Sequence, residues 1–105
     1  MSDLNRITLT GNLGQDPDFK YFESGACITT FSLAVKRYDS KIKEDVTDWF
    51  TVKTFSKLGE YLKQGIRVAV DGKLQTDTWE KDGEKKKSVY VFADFIQILT
   101  PKEKE

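Results

Sequence analysis

"DWFTVKTF", residues 48–55, carries three aromatic residues in eight positions. In an extended strand, successive side chains point to opposite faces. Phe50, Val52 and Thr54 then share one face, while Trp49, Thr51, Lys53 and Phe55 share the other. The first set suits a protein interior. The second places two large rings around a lysine on the face that a soluble sheet ordinarily keeps polar.

The alternation extends along the chain in both directions. Upstream, Ile7, Leu9, Gly11 and Leu13 alternate with Thr8, Thr10 and Asn12, which predicts a first strand. The stretch "GQDPDFKYFESG", residues 14–25, strings together turn formers around Pro17 and Gly25 and reads as a connecting loop. In "CITTFSLAVKRY", residues 27–38, Phe31, Leu33 and Val35 oppose Thr30, Ser32, Ala34 and Lys36, giving a second strand. The polar run "DSKIKEDVTD" is a loop, and residues 48–55 form the third strand. Downstream, "SKLGEYLKQG", residues 56–65, is the one credible helix: Ser56 caps it, Leu58 and Leu62 lie four apart, and Gly65 ends it. In "RVAVDGKLQTDTW", Val68, Val70, Gly72 and Leu74 are expected to point inward along a fourth strand. "EKDGEKKK" is a hairpin tip centred on Asp82-Gly83, and "SVYVFADFIQIL" is the fifth strand. Five strands with a short helix between the third and fourth is the element order of an OB-fold, a small all-β barrel. An SH3-like barrel lacks that helix, and a sandwich ordinarily needs more strands.

Bulk properties narrow the function. A chain of 105 residues forms one domain, read here as residues 1–100 followed by a short charged tail, 101–105. With 38% hydrophobic and 32% charged residues it has the composition of a folded globular protein. No apolar run approaches membrane-spanning length, so no membrane association is expected, and "MSDLNRITLTG" lacks the layout of a signal peptide. Cys27 stands alone, excluding an intrachain disulfide, and is expected to be a small buried hydrophobe. Histidine is absent. The usual zinc ligand sets, catalytic triads and imidazole bases are therefore excluded, and neither a cofactor nor enzymatic activity is expected. Seventeen basic residues balance seventeen acidic ones, so a polyanion could be held only where cations cluster on one face.

Such a cluster is readable from strand parity. The outward set of the third strand is Trp49, Lys53 and Phe55, with Lys57 just beyond; the fourth strand adds Lys73 and Trp79; the second ends in Lys36, Arg37 and Tyr38. Rings interleaved with cations suit single-stranded nucleic acid, whose unpaired bases expose π faces for stacking while lysines follow the phosphates. Exposed rings also suit an oligomer interface, a second core layer or a protein-binding adaptor face, and an RNA-binding barrel of the cold-shock type shares the stacking logic. Parity alone leaves these open.

The order of motifs carries a resemblance. "NRITLTGNLGQDPDFKYFESG", "TTFSLAVKR", "DWFTVKTFSKLGEYLKQG", "VDGKLQTDTW" and "VFADFIQIL" resemble, over nearly the whole chain, the bacterial and organellar single-stranded DNA-binding protein family. The resemblance implies an OB-fold, usually a homotetramer, that coats single-stranded DNA during replication, recombination and repair. By matching position it implies stacking roles for Tyr38, Trp49, Phe55 and Trp79, and phosphate contacts for Arg6, Lys20, Lys57 and Lys63. It implies a cytoplasmic, nucleoid-associated location; no transit peptide that would favour an organelle is seen.

The chain departs from that family in three places. The helix segment is about one turn short. Gln75, Asp77 and Thr78 stand where the family commonly has arginine or lysine, and Lys85, Lys86 and Lys87 in the hairpin are the candidates to compensate. The family typically continues into a Gly/Pro/Gln-rich tail with an acidic, hydrophobic tip, whereas this chain stops at "PKEKE". The expectation is a shortened or tail-less member that recruits replication and repair proteins weakly, if at all, through that route.

Overall fold

The computed structural model describes residues 3–55 and 61–99. Six strands occur in the order β1 (Ile7–Leu13), β2 (Asp18–Tyr21), β3 (Cys27–Asp39), β4 (Glu44–Thr54), β5 (Arg67–Lys81) and β6 (Glu84–Ile98). They form one sheet ordered β1-β5-β6-β4-β3-β2, and an additional β1–β3 pairing closes it. The closure depends on β1. Its residues 7–12 pair antiparallel with β5, and Asn12 and Leu13 then switch to Ala34 and Leu33 of β3. The ring β1-β5-β6-β4-β3 is the five-stranded barrel expected from the sequence.

The sixth strand is a difference. Residues 18–21 fall in the stretch read as a loop, yet they pair with residues 27–30 of β3. Pro17 has no N–H to give a ladder and interrupts the strand. Beyond it the chain resumes pairing along β3 at the sheet edge. The helix expected over 56–65 falls partly on residues 56–60, outside those described. Within 61–65 the chain turns instead, with Ile66 N donating to Lys63 O at 3.3 Å. This turn is tied to the end of β1: Leu13 N donates to Ile66 O at 3.0 Å and Gly65 N to Leu13 O at 2.9 Å. Leu62 and Ile66 are thereby buried and close one end of the barrel. The charged tail over 101–105 also lies outside the described residues.

The core is the inward half of each strand: Leu13, Phe31, Leu33, Val52, Val68, Val70, Val91 and Ala93, with Ile7, Leu9, Val35 and Ile96 packed against it. Cys27 is buried as expected. Leu74 is not: it is 43% exposed although its parity is that of Val68 and Val70. The reason is that β1 begins at Ile7, opposite Gly72, so β5 beyond that point has left the barrel. Asn5 finishes the ladder there with its side chain, donating to Leu74 O at 2.8 Å and accepting from Leu74 N at 2.9 Å.

From that rim, β5 and β6 continue as a hairpin arm, and β3 and β4 form a second arm on their own side. The radius of gyration is 15.8 Å, against about 13 Å for a compact chain of this length. The β5–β6 arm turns at Asp82 and Gly83, whose φ values of 53° and 79° are both positive. That geometry fits the Asp-Gly pair of a two-residue hairpin turn. Within β6 the register shifts: Gly72 pairs with Ala93 and Asp71 with Phe95, leaving Asp94 as an extra residue. The bulge turns Phe95 outward, to 61% exposure.

Val70→Ala truncates a side chain sealed inside the barrel and should lower stability by about 2 kcal/mol. Thermal unfolding should show this as a fall in Tm of roughly 10 °C. Thr76→Ala, on the exposed arm, should leave Tm nearly unchanged.

Candidate nucleic-acid interface

Closure of the barrel separates the two faces of each strand. On β4, Val52 and Thr54 are buried while Trp49 and Phe55 are exposed by 61% and 62%. Phe55 stands just past the last residue of β4. Pairing carries this outer face onto the neighbouring strands. Trp49 lies across from Ala34, and Lys36 and Tyr38 follow it outward along β3. On β5, Lys73, Gln75, Asp77 and Trp79 share the outward parity, and Trp79 lies across from Lys86 at the tip of its arm. All four rings named from the sequence, at positions 38, 49, 55 and 79, are exposed.

Trp49 rests on Gly14. A Cβ at Gly14 would collide with the indole ring, so the close approach of ring to backbone requires glycine there. Trp79 is bordered by its own hairpin: Thr78, Trp79, Glu80 and Lys85 to Lys87 line one open groove of about 450 Å³. The hairpin lysines thus stand beside the ring, although Lys86 is held by Glu84 at 3.0 Å.

The cations divide into two groups. Arg6 is paired with Asp71 at 2.7 Å, and Lys53 with Asp77 at 3.3 Å. Arg37 is paired with Asp48 at 2.7 Å and lies 3.7 Å from Asp39. The hydrogen bond and the charge of Asp48 hold the Arg37 guanidinium more firmly in its charged form. Its parity is opposite to that of Lys36 and Tyr38, so these three consecutive residues do not share one surface. Lys20, Lys36, Lys63 and Lys73 have no carboxylate partner among the described residues. Lys20 lies 5.5 Å from the centroid of Phe22 in a groove of about 580 Å³ that also takes in Thr30 and Lys53. Lys63 is exposed in the turn before β5. Lys57 lies outside the described residues.

Two rings on this face were not singled out from the sequence. Tyr90 and Phe92 point outward from β6, which lies between β4 and β5. Phe92 packs against Phe55 with centroids 5.4 Å apart and planes tilted by 57°. Lys73 Nζ stands 5.7 Å from the Phe92 centroid, and Lys53 Nζ 4.5 Å from that of Tyr90. The Tyr90 hydroxyl donates to Gln75 Oε1 at 2.9 Å. The signal was present in "SVYVFADF": Val89, Val91 and Ala93 on the inward parity leave Tyr90 and Phe92 outward.

Comparison with known proteins gives a consistent result. The model of the single-strand binding protein family matches residues 4–99. Single-stranded DNA-binding protein 1 of Xylella fastidiosa is 37% identical over 112 residues, covering 98% of this chain and 82% of that protein. Single-stranded DNA-binding protein 1 of Nostoc sp. is 35% identical over 106 residues, covering 95% of this chain and 87% of that protein. Among solved structures, the Plasmodium falciparum SSB complex with ssDNA superimposes with a TM-score of 0.82 at 27% identity, over 94% of this chain and 97% of that one. With the barrel, the two arms and the ring-bearing outer face in place, this chain belongs to the single-strand binding protein family.

Proposed function

We propose that the protein binds single-stranded DNA without regard to sequence and shields it during replication, recombination and repair. One observation carries the reading: Tyr38, Trp49, Phe55 and Trp79 are all exposed on the outer face of a barrel whose inner face is filled. Stacking suits any base because every base has a π face, and duplex DNA conceals those faces. Lys20, Lys36, Lys63 and Lys73 supply phosphate contacts, with Lys57 as a further one. Arg6 and Lys53 join them by exchanging their carboxylate partners for phosphate. Arg37 is the weakest of the proposed contacts, since Asp48 and Asp39 already take its charge.

The mechanism is binding without chemistry. Stacking contributes roughly 1–3 kcal/mol per base, so a few bases already amount to useful affinity. Counterion release from phosphates adds a term that falls with salt. The assembled form is a homotetramer; the exposed Phe95, Ile98 and Leu99 at the end of β6 offer apolar surface of the kind that interfaces bury. No helix among the described residues is long and apolar enough to cross a membrane, and the place of action on this reading is the cytoplasm, at the nucleoid.

Adding oligo(dT) should quench the fluorescence of the two tryptophans strongly, because a base comes to lie against each indole. Trp49→Ala and Trp79→Ala should each weaken binding by roughly 1–3 kcal/mol, with little change in Tm. A large loss of stability at unchanged affinity would make these rings packing residues and end the proposal.

Asp77 tests the electrostatics separately. Its carboxylate holds Lys53 at 3.3 Å, and phosphate must compete with it. Asp77→Asn should tighten oligo(dT) binding at moderate salt about two- to five-fold, and Asp77→Arg further. Weaker binding by either variant in an anisotropy titration would show that the phosphate track avoids this position.

A further inference from the structure

From the geometry of β6 we infer that Tyr90 and Phe92 are themselves base-stacking residues, and that the DNA strand runs along β6 from Phe55 to Trp79. The inference rests on the binding function proposed above and names a route for it.

The distances motivate it. Phe92 is the immediate neighbour of Phe55, whereas Trp79 pairs with Lys86, six positions further along the same strand. At about 3.3 Å per residue that separates the Phe55 and Trp79 platforms by roughly 20 Å. The outward positions between them on β5 hold Gln75 and Asp77, which offer no π face. On β6 they hold Phe92, Tyr90 and Ser88. Phe92 takes the base next to Phe55, and Tyr90 lies about 7 Å beyond Phe92. The long gap becomes steps that successive bases can occupy.

Both rings are also prepared for an anionic strand. Each is partly exposed and has an ammonium beside it, Lys53 at Tyr90 and Lys73 at Phe92. When a phosphate draws Lys53 away from the ring and from Asp77, the Tyr90 face is freed for a base. The hydroxyl bond to Gln75 keeps the ring in place during that exchange. Cation and ring thus hand over to phosphate and base together.

The test uses the whole chain and oligo(dT) at moderate salt. Tyr90→Leu and Phe92→Leu should each weaken binding roughly tenfold, while Tyr90→Phe, which keeps the ring and loses only the bond to Gln75, should weaken it clearly less than Tyr90→Leu. Trp79→Ala serves as the reference. If Trp79→Ala weakens binding but neither leucine variant does, the β6 route is overturned and the DNA-binding function stands. If none of the variants changes affinity, stacking at Trp79 and the β6 route fall together; the binding function itself falls only if the parent protein fails to bind oligo(dT). Photo-cross-linking of the unsubstituted protein to oligo(dT) carrying 5-iodouracil removes any dependence on variant folding. Adducts at Tyr90 or Phe92 support the route. Adducts at Trp49 and Trp79 with none on residues 88–93 overturn it.

Discussion

Closure of the sheet by β1 is the constraint on which the rest depends. One seven-residue strand pairs with β5 along most of its length and with β3 at its last two residues. That double pairing turns a sheet with two equivalent faces into a barrel with a filled interior and a solvent-facing exterior. The inward half of each strand is then committed to Val, Leu, Ile and Phe. The outward half is released from packing and can hold rings at fixed positions. Trp49 shows the coupling directly, since its indole rests on Gly14, one residue past the end of β1.

The electrostatics follow a different logic from that of a basic nucleic-acid-binding domain. With no net charge, the protein carries no long-range field to draw in every polyanion. Several cations on its surface already have carboxylate partners: Arg6 with Asp71, Arg37 with Asp48 and Lys53 with Asp77. Such exposed pairs stabilise the fold little. Their larger effect is on binding, because a phosphate gains only the difference between itself and the carboxylate it displaces. Stacking is left to carry more of the affinity than in a domain whose lysines are free.

Much of this arrangement was legible in the sequence, wherever a strand is paired on both sides and its alternation is in phase. Parity placed Trp49, Phe55 and Trp79 outside and Phe31, Leu33, Val52, Val68 and Val70 inside. The Asp82-Gly83 turn was legible from its residue types. The misreadings have physical causes. Pro17 and its polar neighbours concealed β2, because turn composition says nothing about whether an edge can pair. Leu74 has core parity but lies beyond the partner of Ile7, the first residue of β1, and alternation along one strand does not report the length of its neighbour. Arg37 was grouped with Lys36 and Tyr38 as a run, although adjacent strand residues face opposite ways. Tyr90 and Phe92 were open to the same reasoning that found Trp49. The bulge at Asp94 then breaks the phase, so β6 as a whole shows no single period.

The central claim is that rings rather than charges hold the strand. The most direct measurement is the salt dependence of binding to an oligo(dT) of about eight nucleotides, within reach of one barrel. Each phosphate neutralised on a single strand contributes about −0.7 to the slope of log K against log[salt]. Lys20, Lys36, Lys63 and Lys73 are proposed as phosphate contacts and have no carboxylate partner among the described residues. They predict a slope of about −3, the paired cations adding little because they exchange one anion for another. Measurable binding should remain in concentrated salt. A slope of about −5, the value for neutralising nearly every phosphate of so short a strand, with binding abolished at high salt, would mean that phosphates carry the affinity and would contradict the account.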